Sequence, residues 1–323
     1  MNFLITGSAG FIGFHITNNI LKKYKKSKII GLDNLNNYYS VSLKKKRLKV
    51  LQKYKNFKFF KTDLTEKKKI IKLIRKNNIN VVIHMAAQAG VRDSLKIPFS
   101  YFQSNFVGFL SVLEASHICK VKKFIFASSS SVYGDKNKYP IKEIENISPK
   151  NIYSASKKIN EDVAKDFSRI SNMKIIALRF FTIYGEYGRP DMLIFKFLKA
   201  SFLNKKFLLF NYGKHERDYT HIEDAVLMIN KLIKKKVNDK FQIFNVCSNN
   251  PVDISKLLNV ITKYTKIKTK IQKVGKNEIE VFKTHGDNLK IKKYLKLNKF
   301  KNIFYEIEKI VNWYKKEKIW KLK

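Results

Sequence analysis

The stretch near the amino terminus that decides the fold is Thr6-Gly7-Ser8-Ala9-Gly10-Phe11-Ile12-Gly13. It follows the short apolar run Phe3-Leu4-Ile5 and opens a helical pattern that extends from Phe11 to Tyr24. Three glycines at a three-residue spacing allow a tight turn, the approach of a pyrophosphate to backbone N–H groups, and close packing of helix and strand. The helix N-terminus adds the positive end of its dipole. The stretch therefore predicts a dinucleotide-binding strand–turn–helix unit.

An acidic residue follows at the expected distance. Lys28–Leu32 reads as a second strand, and it ends at Asp33, 20 residues after Gly13. A carboxylate there accepts hydrogen bonds from both ribose hydroxyls and repels a 2′-phosphate, so NAD is favoured over NADP as the cofactor.

The first half of the chain alternates between short apolar strands and longer helical stretches. The further strands that we expect are Phe57–Phe60, Asn80–His84, Lys123–Ala127 and Lys174–Leu178, and the helices between them include Lys67–Asn77, Tyr101–His117 and Tyr153–Ser171. Such alternation predicts an α/β fold with a doubly wound parallel sheet of the Rossmann type. We assign residues 1–180 to this NAD-binding domain.

The alternation loosens after about residue 180. The expected elements there are the helices Asp191–Phe202, Glu223–Lys235, Ile254–Thr265 and Ile303–Lys316, and the strand Phe241–Val246. This pattern is typical of a smaller, mixed α/β substrate domain. We therefore assign residues 181–323 mainly to that domain, and expect segments near 215–247 to return to the first.

The charge of the chain is strongly positive. The formal net charge is +42, and of 67 basic residues only seven are arginines, which leaves 60 lysines. The lysines are spread along the chain, whereas phosphate recognition usually enriches arginine. We therefore attribute the charge to the codon bias of an AT-rich genome and expect no nucleic-acid partner. The runs Lys44–Lys46 and Lys234–Lys236 are interpreted as solvated surface.

Other compositional features exclude several classes of protein. No stretch approaches the ~20 apolar residues of a membrane-spanning helix, and Met1–Gly7 lacks the features of a secretory leader. Two cysteines, Cys119 and Cys247, are too few for a disulfide framework, and the histidines show no metal-ligand spacing. We expect a cytoplasmic protein with free thiols, no membrane association and no metal.

Two clusters of hydroxyl and amine groups suggest proton transfer. Tyr153 and Lys157 lie four residues apart on a predicted helix and so share one face. A lysine ammonium beside a phenol stabilises the phenolate and lowers its pKa. Ser128–Ser131 follows a predicted strand, at the end of the sheet where ligands bind. Alone, each cluster is also compatible with a surface helix or a polar turn.

Together these motifs carry a family resemblance. The sequence resembles the extended short-chain dehydrogenases/reductases that act on nucleotide sugars, and within them the UDP-glucuronate 4-epimerases. The matching stretches lie between residues 1 and about 225, and they are Thr6–Gly13, Asp33–Tyr39, His84–Arg92, Ala127–Gly134, Tyr153–Lys157, Arg179–Gly185, Gly188–Met192, Asn211–Gly213 and Arg217–Thr220.

The resemblance implies an isomerase with tightly bound NAD that converts UDP-glucuronate to UDP-galacturonate, through a transient 4-keto sugar, for polysaccharide biosynthesis. Tyr153 would be the general base, Lys157 its activator, and Ser129 a hydrogen-bond partner of the sugar 4-hydroxyl. The implied cofactor contacts are Gly7, Gly10, Phe11, Ile12, Gly13, Asp33, Asn34, Asn37, Asp63, Leu64, Ala86, Ala87, Asn105, Ser128, Tyr153, Lys157 and Phe180.

The resemblance also implies the substrate contacts and the assembly. Ser130, Ser131 and Thr182 would hold the sugar carboxylate with Arg92 close by, Ser129 would contact the sugar, and Arg189 and Arg217 would face the UDP diphosphate. Pairing of the helices Tyr101–His117 and Tyr153–Ser171 across a two-fold axis would give a homodimer, as in similar proteins.

The chain departs from the family pattern in places, and alternatives stay open. Asp93 stands where the family usually has tyrosine, and Cys247 replaces a glycine. A related UDP-glucose or UDP-N-acetyl-hexosamine/uronate 4-epimerase is the first alternative. A catalytically idle, basic RNA-binding protein with a dinucleotide fold is a distant one, and the intact Tyr153, Lys157 and Ser129 argue against it.

Overall fold

A computed structural model of the protein describes residues 1–275 and 281–322. In chain order the elements are β1 (Phe3–Thr6), α1 (Phe11–Lys23), β2 (Ile29–Asp33), α2 (Val41–Leu51), β3 (Phe57–Lys61), α3 (Lys67–Lys76), β4 (Val81–His84), α4 (Pro98–Tyr101), α5 (Gly108–Ile118), β5 (Lys123–Ser129), α6 (Ile152–Ile170), β6 (Lys174–Phe180), β7 (Thr182–Tyr184), α7 (Leu193–Phe202), β8 (Phe207–Leu209), β9 (Glu216–His221), α8 (Ile222–Lys234), β10 (Phe241–Val246), β11 (Pro251–Asp253), α9 (Ile254–Thr265), β12 (Ile271–Lys273), α10 (Leu289–Leu295) and α11 (Ile303–Lys316). A π-helical segment, Phe102–Val107, joins α4 to α5.

Among the described residues, seven parallel strands form the central sheet, in the order β10-β6-β5-β4-β1-β2-β3. Every residue of β1 and β4 is buried, as expected where helices cover both faces of a parallel sheet. Phe3 and Ile5 of β1 pack in one core with α1 and α8, and Leu4 packs in a second core with α3 and α5. The predicted α/β fold with a doubly wound parallel sheet is confirmed. The strand order reverses between β1 and β4, which is where such sheets bind ligands.

Two expectations about local structure hold only in part. The run Lys44–Lys46 is not uniformly solvated, because it lies in α2, where Lys44 is only 4% exposed and donates from Nζ to the Asn36 carbonyl and side-chain oxygens at 2.7 Å. The helix predicted over Tyr101–His117 is interrupted by the π-helical segment, in which Asn105 is buried. The sequence there contains no proline to mark the break.

The carboxy-terminal part is built from small sheets and three packed helices. Strands β7, β9 and β11 form one sheet in the order β11-β9-β7, and β8 pairs with β12. Apolar side chains of α7, α9 and α11, including Phe197, Leu257 and Ile307, share a core. Strand β10 lies beside β6 in the central sheet, and α8 packs on α1. Within residues 1–275 and 281–322, no helix has both the length and the apolar character needed to span a membrane.

Candidate active site

A cavity of about 570 Å³ opens at the carboxyl ends of the central strands. Its walls come from distant parts of the chain, because Gly7, Ser129, Tyr153, Thr182 and Arg217 all line it. The cavity therefore combines the strand ends of the central sheet with loops of the carboxy-terminal part.

The glycine positions of the glycine-rich turn have no room for a side chain. Gly7 has a φ of +68°, and a Cβ on Gly13 would lie 2.1 Å from the Gly7 carbonyl oxygen. Gly10 is the N-cap of α1, without a side-chain cap, and the first turn of α1 contains no acidic residue. Backbone N–H groups and the positive helix end are thus offered to the cavity, so this turn fits the diphosphate of a dinucleotide.

Asp33 lies at the end of β2 beside this turn. Its carboxylate accepts hydrogen bonds from the backbone N–H groups of Ala9 at 3.3 Å and Leu35 at 2.8 Å. Burial raises the pKa of Asp33, while the charge of Lys44 and these hydrogen bonds act in the opposite direction. The position at a strand end, lining the cavity, suits a ribose contact.

Tyr153 is placed by the start of α6. The Asn151 side chain accepts from the Ser154 N–H at 2.9 Å and the Ser154 hydroxyl accepts from the Asn151 N–H at 3.2 Å, so a capping box fixes the first turn. The Tyr153 and Ser129 side chains both line the cavity. Burial raises the pKa of Tyr153, whereas the nearby Ser129 hydroxyl and the positive charge of Arg189 lower it. The predicted partners Tyr153 and Ser129 therefore meet in the cavity.

Lys157 lies one helical turn further along α6 and is also buried. Its Nζ donates to the Ala127 carbonyl at 2.8 Å and lies 5.9 Å from the centroid of the Tyr153 ring. Burial lowers the pKa of Lys157 to about 8, although the charge of Glu161 raises it in part. Without a bound cofactor, burial is thus the largest influence on the pKa of Tyr153. That Lys157 lowers the pKa of Tyr153 stays a prediction.

The serine run ends β5 and lines the cavity with hydroxyl groups. The Ser129 hydroxyl accepts from the Ser131 N–H at 3.2 Å and from the Ser131 hydroxyl at 2.9 Å. The Ser128 hydroxyl turns away and donates to a carboxylate oxygen of Glu161 at 2.5 Å. Ser130 and Thr182 also line the cavity, so the hydroxyl-bearing residues expected around a sugar carboxylate line the same cavity; we refer to Ser129, Ser130, Ser131 and Thr182 as its hydroxyl wall.

A buried ion pair supports this wall from behind, and sequence reasoning missed it. Glu161 and Arg179 are 3% and 1% exposed, and two hydrogen bonds of 2.9 and 2.7 Å join them. Arg179 also donates to the Tyr133 hydroxyl at 2.9 Å. The available signal was spacing, because Glu161 lies four residues after Lys157 on the same helix.

The three arginines expected at the substrate behave differently. Arg189 lines the cavity, but its Nε donates to Asp191 at 3.0 Å and its Nη2 pairs with the same carboxylate. Arg217 also lines the cavity, and its Nη1 donates to the carbonyls of Glu216 and Phe282 at 3.0 and 2.9 Å. Arg92 begins a short 3₁₀ turn, and its side chain lies outside the described part of the structure.

Most of the expected cofactor contacts line the cavity. They are Gly7, Gly10, Phe11, Ile12, Gly13, Asp33, Asn34, Asp63, Leu64, Ala86, Ala87, Ser128, Tyr153, Lys157 and Phe180. Asn37 and Asn105 do not line it. The Asn105 side chain instead accepts from the Gln88 N–H at 2.7 Å and donates to the Gln88 carbonyl at 3.0 Å and the Ser156 hydroxyl at 3.1 Å. It therefore braces the loop after β4 against α6.

Other cavity residues were not expected as contacts. Tyr38 donates from its hydroxyl to Asp93 at 2.8 Å, and both line the cavity, as do Tyr39 and Lys44. Tyr38 and Tyr39 lie in a stretch already quoted for its resemblance, which was the available signal. Among the described residues, no group of three His, Cys, Asp or Glu side chains is arranged to hold a metal ion.

Comparisons with known proteins agree with this geometry. The model of the NAD-dependent epimerase/dehydratase family matches residues 3–247. An uncharacterised protein of Methanocaldococcus jannaschii is 39% identical over 323 residues, which cover 100% of this chain and 98% of that protein. The UDP-glucuronate 4-epimerase of Thermodesulfobacterium geofontis is 34% identical, with 97% of this chain and 96% of the relative covered. The crystal structure of the Bacillus cereus UDP-glucuronic acid 4-epimerase, in complex with UDP-glucuronic acid and NAD, is 27% identical and superposes with a TM-score of 0.92 over 98% of this chain and 100% of that one.

Proposed function

The chain belongs to the NAD-dependent epimerase/dehydratase family, and from this premise we propose that it 4-epimerises UDP-glucuronate to UDP-galacturonate. The predicted family, the NAD cofactor and the isomerase class are confirmed. The choice of sugar is our proposal. The observation that carries it is that Tyr153 and the hydroxyl-bearing residues Ser129, Ser130, Ser131 and Thr182 line the same cavity as the glycine-rich turn.

The residues of the chain divide the chemistry between them. NAD, when bound beside the glycine-rich turn, would supply a two-electron acceptor for the hydride of the sugar C4. Tyr153 is placed to accept the proton of the 4-hydroxyl, and Ser129 is placed to orient that hydroxyl. Lys157, fixed on the Ala127 carbonyl, provides a positive charge close to the phenol in its protonated state.

The wall of hydroxyls supports a uronate as the substrate. Ser130, Ser131 and Thr182 offer O–H donors, which suit a carboxylate. In the resembling 4,6-dehydratases and decarboxylases an acidic residue stands in the serine run, and this chain has none there. Without that acid, elimination and decarboxylation lack their proton-transfer group. The same hydroxyls are placed to hold the carboxylate of a 4-keto uronate away from the geometry in which carbon dioxide leaves.

A neutral UDP-hexose is the second candidate, and one observation favours it. Asp93 lines the cavity and places a carboxylate near the loop after β4. A negative charge there opposes a sugar carboxylate, although the hydrogen bond from Tyr38 offsets part of that effect. A uronate is preferred if the hydrogen bonds from the hydroxyl wall outweigh the repulsion from Asp93, and a neutral hexose is preferred if they do not.

Incubation of the purified protein with three substrates, without added NAD, tests the proposal. We expect conversion of UDP-glucuronate to its galacto epimer, and conversion of UDP-glucose and UDP-N-acetylglucosamine at least about tenfold slower, which corresponds to ~1.4 kcal/mol of discrimination. Faster conversion of UDP-glucose would replace the uronate by the neutral hexose. Salt-dependent RNA binding without any epimerisation would favour the idle RNA-binding protein instead.

A further inference from the structure

A buried arginine outside the catalytic group links the two ligand regions of the cavity. We propose that Arg47 is a positioning residue that couples NAD binding to UDP-sugar binding; this inference rests on the proposed function. Arg47 lies in α2 and is fully buried. Its guanidinium donates both to the glycine-rich turn and to the loop that precedes Arg189.

The first contact fixes the glycine-rich turn. Nη1 of Arg47 donates to the Ala9 carbonyl at 2.8 Å, while the Ala9 N–H donates to Asp33 at 3.3 Å. Both polar groups of this residue in the predicted pyrophosphate turn are therefore held by side chains. The neighbouring Ser8 and Gly10 N–H groups donate to the backbone carbonyls of Leu32 and Gly7. Arg47 thus belongs to the set of contacts that fixes the turn immediately before α1.

The second contact fixes the loop on the substrate side. Nη2 of Arg47 donates to the carbonyls of Tyr187 at 2.7 Å and Gly188 at 3.4 Å. The next residue is Arg189, which lines the cavity with its carboxylate partner Asp191. A change in this loop when Arg189 meets a diphosphate therefore acts directly on Arg47.

A third contact completes the connection. Nη1 of Arg47 also donates to the Tyr39 hydroxyl at 2.6 Å, and Tyr39 lines the cavity between the two regions. The adjacent Tyr38 ring lies 5.8 Å from the Arg189 guanidinium carbon. The planar guanidinium thus joins three loops that reach the cavity through two separate nitrogen atoms, an arrangement that the single nitrogen of a lysine does not reproduce.

The chemistry of Arg47 argues against a role in stability alone. Among the described residues it forms no ion pair with a carboxylate, and its buried Nε has no hydrogen-bond partner. Burial of a charge costs free energy even when carbonyl and hydroxyl oxygens accept its hydrogen bonds. A protein with an apolar side chain of similar volume at such a position is often at least as stable. The position of its donors, on backbone carbonyls of two ligand-binding loops, instead fits the transmission of a displacement from one loop to the other.

Coupling of this kind is reciprocal. Binding of UDP should therefore raise the affinity for the dinucleotide, and binding of the dinucleotide should raise the affinity for UDP by the same factor. Titration of the cofactor-stripped protein with fluorescent NADH, with and without saturating UDP, measures it as the ratio of the two dissociation constants. For the wild-type protein we expect a ratio of about five or more. For Arg47→Met we expect a ratio that approaches one. A role in stability alone would weaken NADH binding equally with and without UDP and leave the ratio unchanged.

The controls separate this inference from the proposed function. Arg169→Met removes an exposed arginine of α6 and should keep the wild-type ratio. Arg47→Lys keeps the charge but not the two nitrogen atoms that join the loops, so we expect this variant to lose the coupling. If Arg47→Met does not fold, the ratio measured for Arg47→Lys tests the inference. A wild-type ratio in either folded Arg47 variant, or a ratio near one in the wild-type protein, overturns the inference. If neither NADH nor UDP binds the wild-type protein, the proposed function fails as well.

Discussion

Thr182 lies on the hydroxyl wall of the cavity, where the sugar carboxylate is proposed to bind. Removal of one hydrogen bond to a charged group costs about 1.5–3 kcal/mol, which is about tenfold or more in the partition between two reactions. We therefore expect Thr182→Ala to release UDP-pentose by decarboxylation about ten times more often per turnover than the wild-type protein. Chromatography of the nucleotide products measures this, with Thr265→Ala at the end of α9 as a matched control. An unchanged product profile would count against a role of Thr182 in holding the carboxylate.

Lys157 gives the reaction a pH dependence. Burial lowers the pKa of Lys157 to about 8, so the side chain is charged below that pH and neutral above it. Because the charge of Lys157 is predicted to support the phenolate of Tyr153, we expect kcat/KM to fall about tenfold per pH unit above pH 8. In Lys157→Arg, which stays charged, the residual activity should lack this decline. Lys158→Met changes an exposed neighbour paired with Asp162 and should keep the wild-type profile, and an identical profile in Lys157→Arg would contradict the assignment.

At the residue scale the sequence predicts identities better than pairings. The glycines, Asp33, Tyr153 and the serines were expected where they lie, because motif spacing and strand ends determine these positions. The pairing of Arg189 with Asp191 and the brace made by Asn105 were not expected, since they depend on side-chain contacts between loops. The prediction that Lys44 is solvated was wrong because a run of lysines does not show which of them faces inward from α2.

The contact between α6 and β6 depends on the buried pair of Glu161 and Arg179. Glu161→Gln leaves the Arg179 charge buried without a counterion and weakens the support of Ser128. Loss of one partner of a buried pair costs about 3–5 kcal/mol, so we expect the free energy of unfolding to fall by about 3 kcal/mol. Urea denaturation measures this fall. Asp162→Asn, which affects an exposed pair on the same helix, should change it by less than about 1 kcal/mol, and a similarly small effect of Glu161→Gln would show that the pair is not important for stability.

At the element scale, periodicity predicts the strands of the central sheet and most helices. These elements bury continuous apolar runs or one apolar face, and both patterns are visible in the sequence. The short strands β7, β8, β11 and β12 were not predicted, because three residues carry no measurable period. The π-helical segment was not predicted either, since the buried position of Asn105 follows from its tertiary contacts.

A two-fold assembly is our proposal for the whole molecule. Apolar side chains are exposed along the face made by α4, the segment after it and α6, including Phe99 at 71%, Phe102 at 50% and Ile159 at 42%. A homodimer that buries this face would remove apolar area from water. We expect light scattering to find two 38.0-kDa chains per particle for the wild-type protein and one for Phe99→Glu. Tyr305→Glu, which changes an exposed side chain of α11, should remain dimeric, whereas a monomeric wild-type protein or a dimeric Phe99→Glu would refute this interface.

The sequence predicts only part of the division of the molecule into two parts. Residues 222–246 form α8 and β10, which pack on α1 and β6, although they follow the first loops of the carboxy-terminal part. Long-range pairing of this kind depends on tertiary contacts, so we retain the boundary near residue 180 as a proposal. The positive charge of the whole chain is compatible with attraction of a polyanionic substrate, but the site itself rests on few arginines.

The central claim is that the Tyr153 phenol moves the proton of the sugar 4-hydroxyl beside bound NAD. The measurement that tests it most directly is the rate of UDP-glucuronate epimerisation by Tyr153→Phe, determined together with its NAD content and UDP affinity. We expect unchanged NAD content and UDP affinity and a rate at least about a hundredfold below that of the wild-type protein, because general base catalysis contributes at least that factor. Epimerisation at the wild-type rate by a folded, NAD-loaded Tyr153→Phe variant would contradict it.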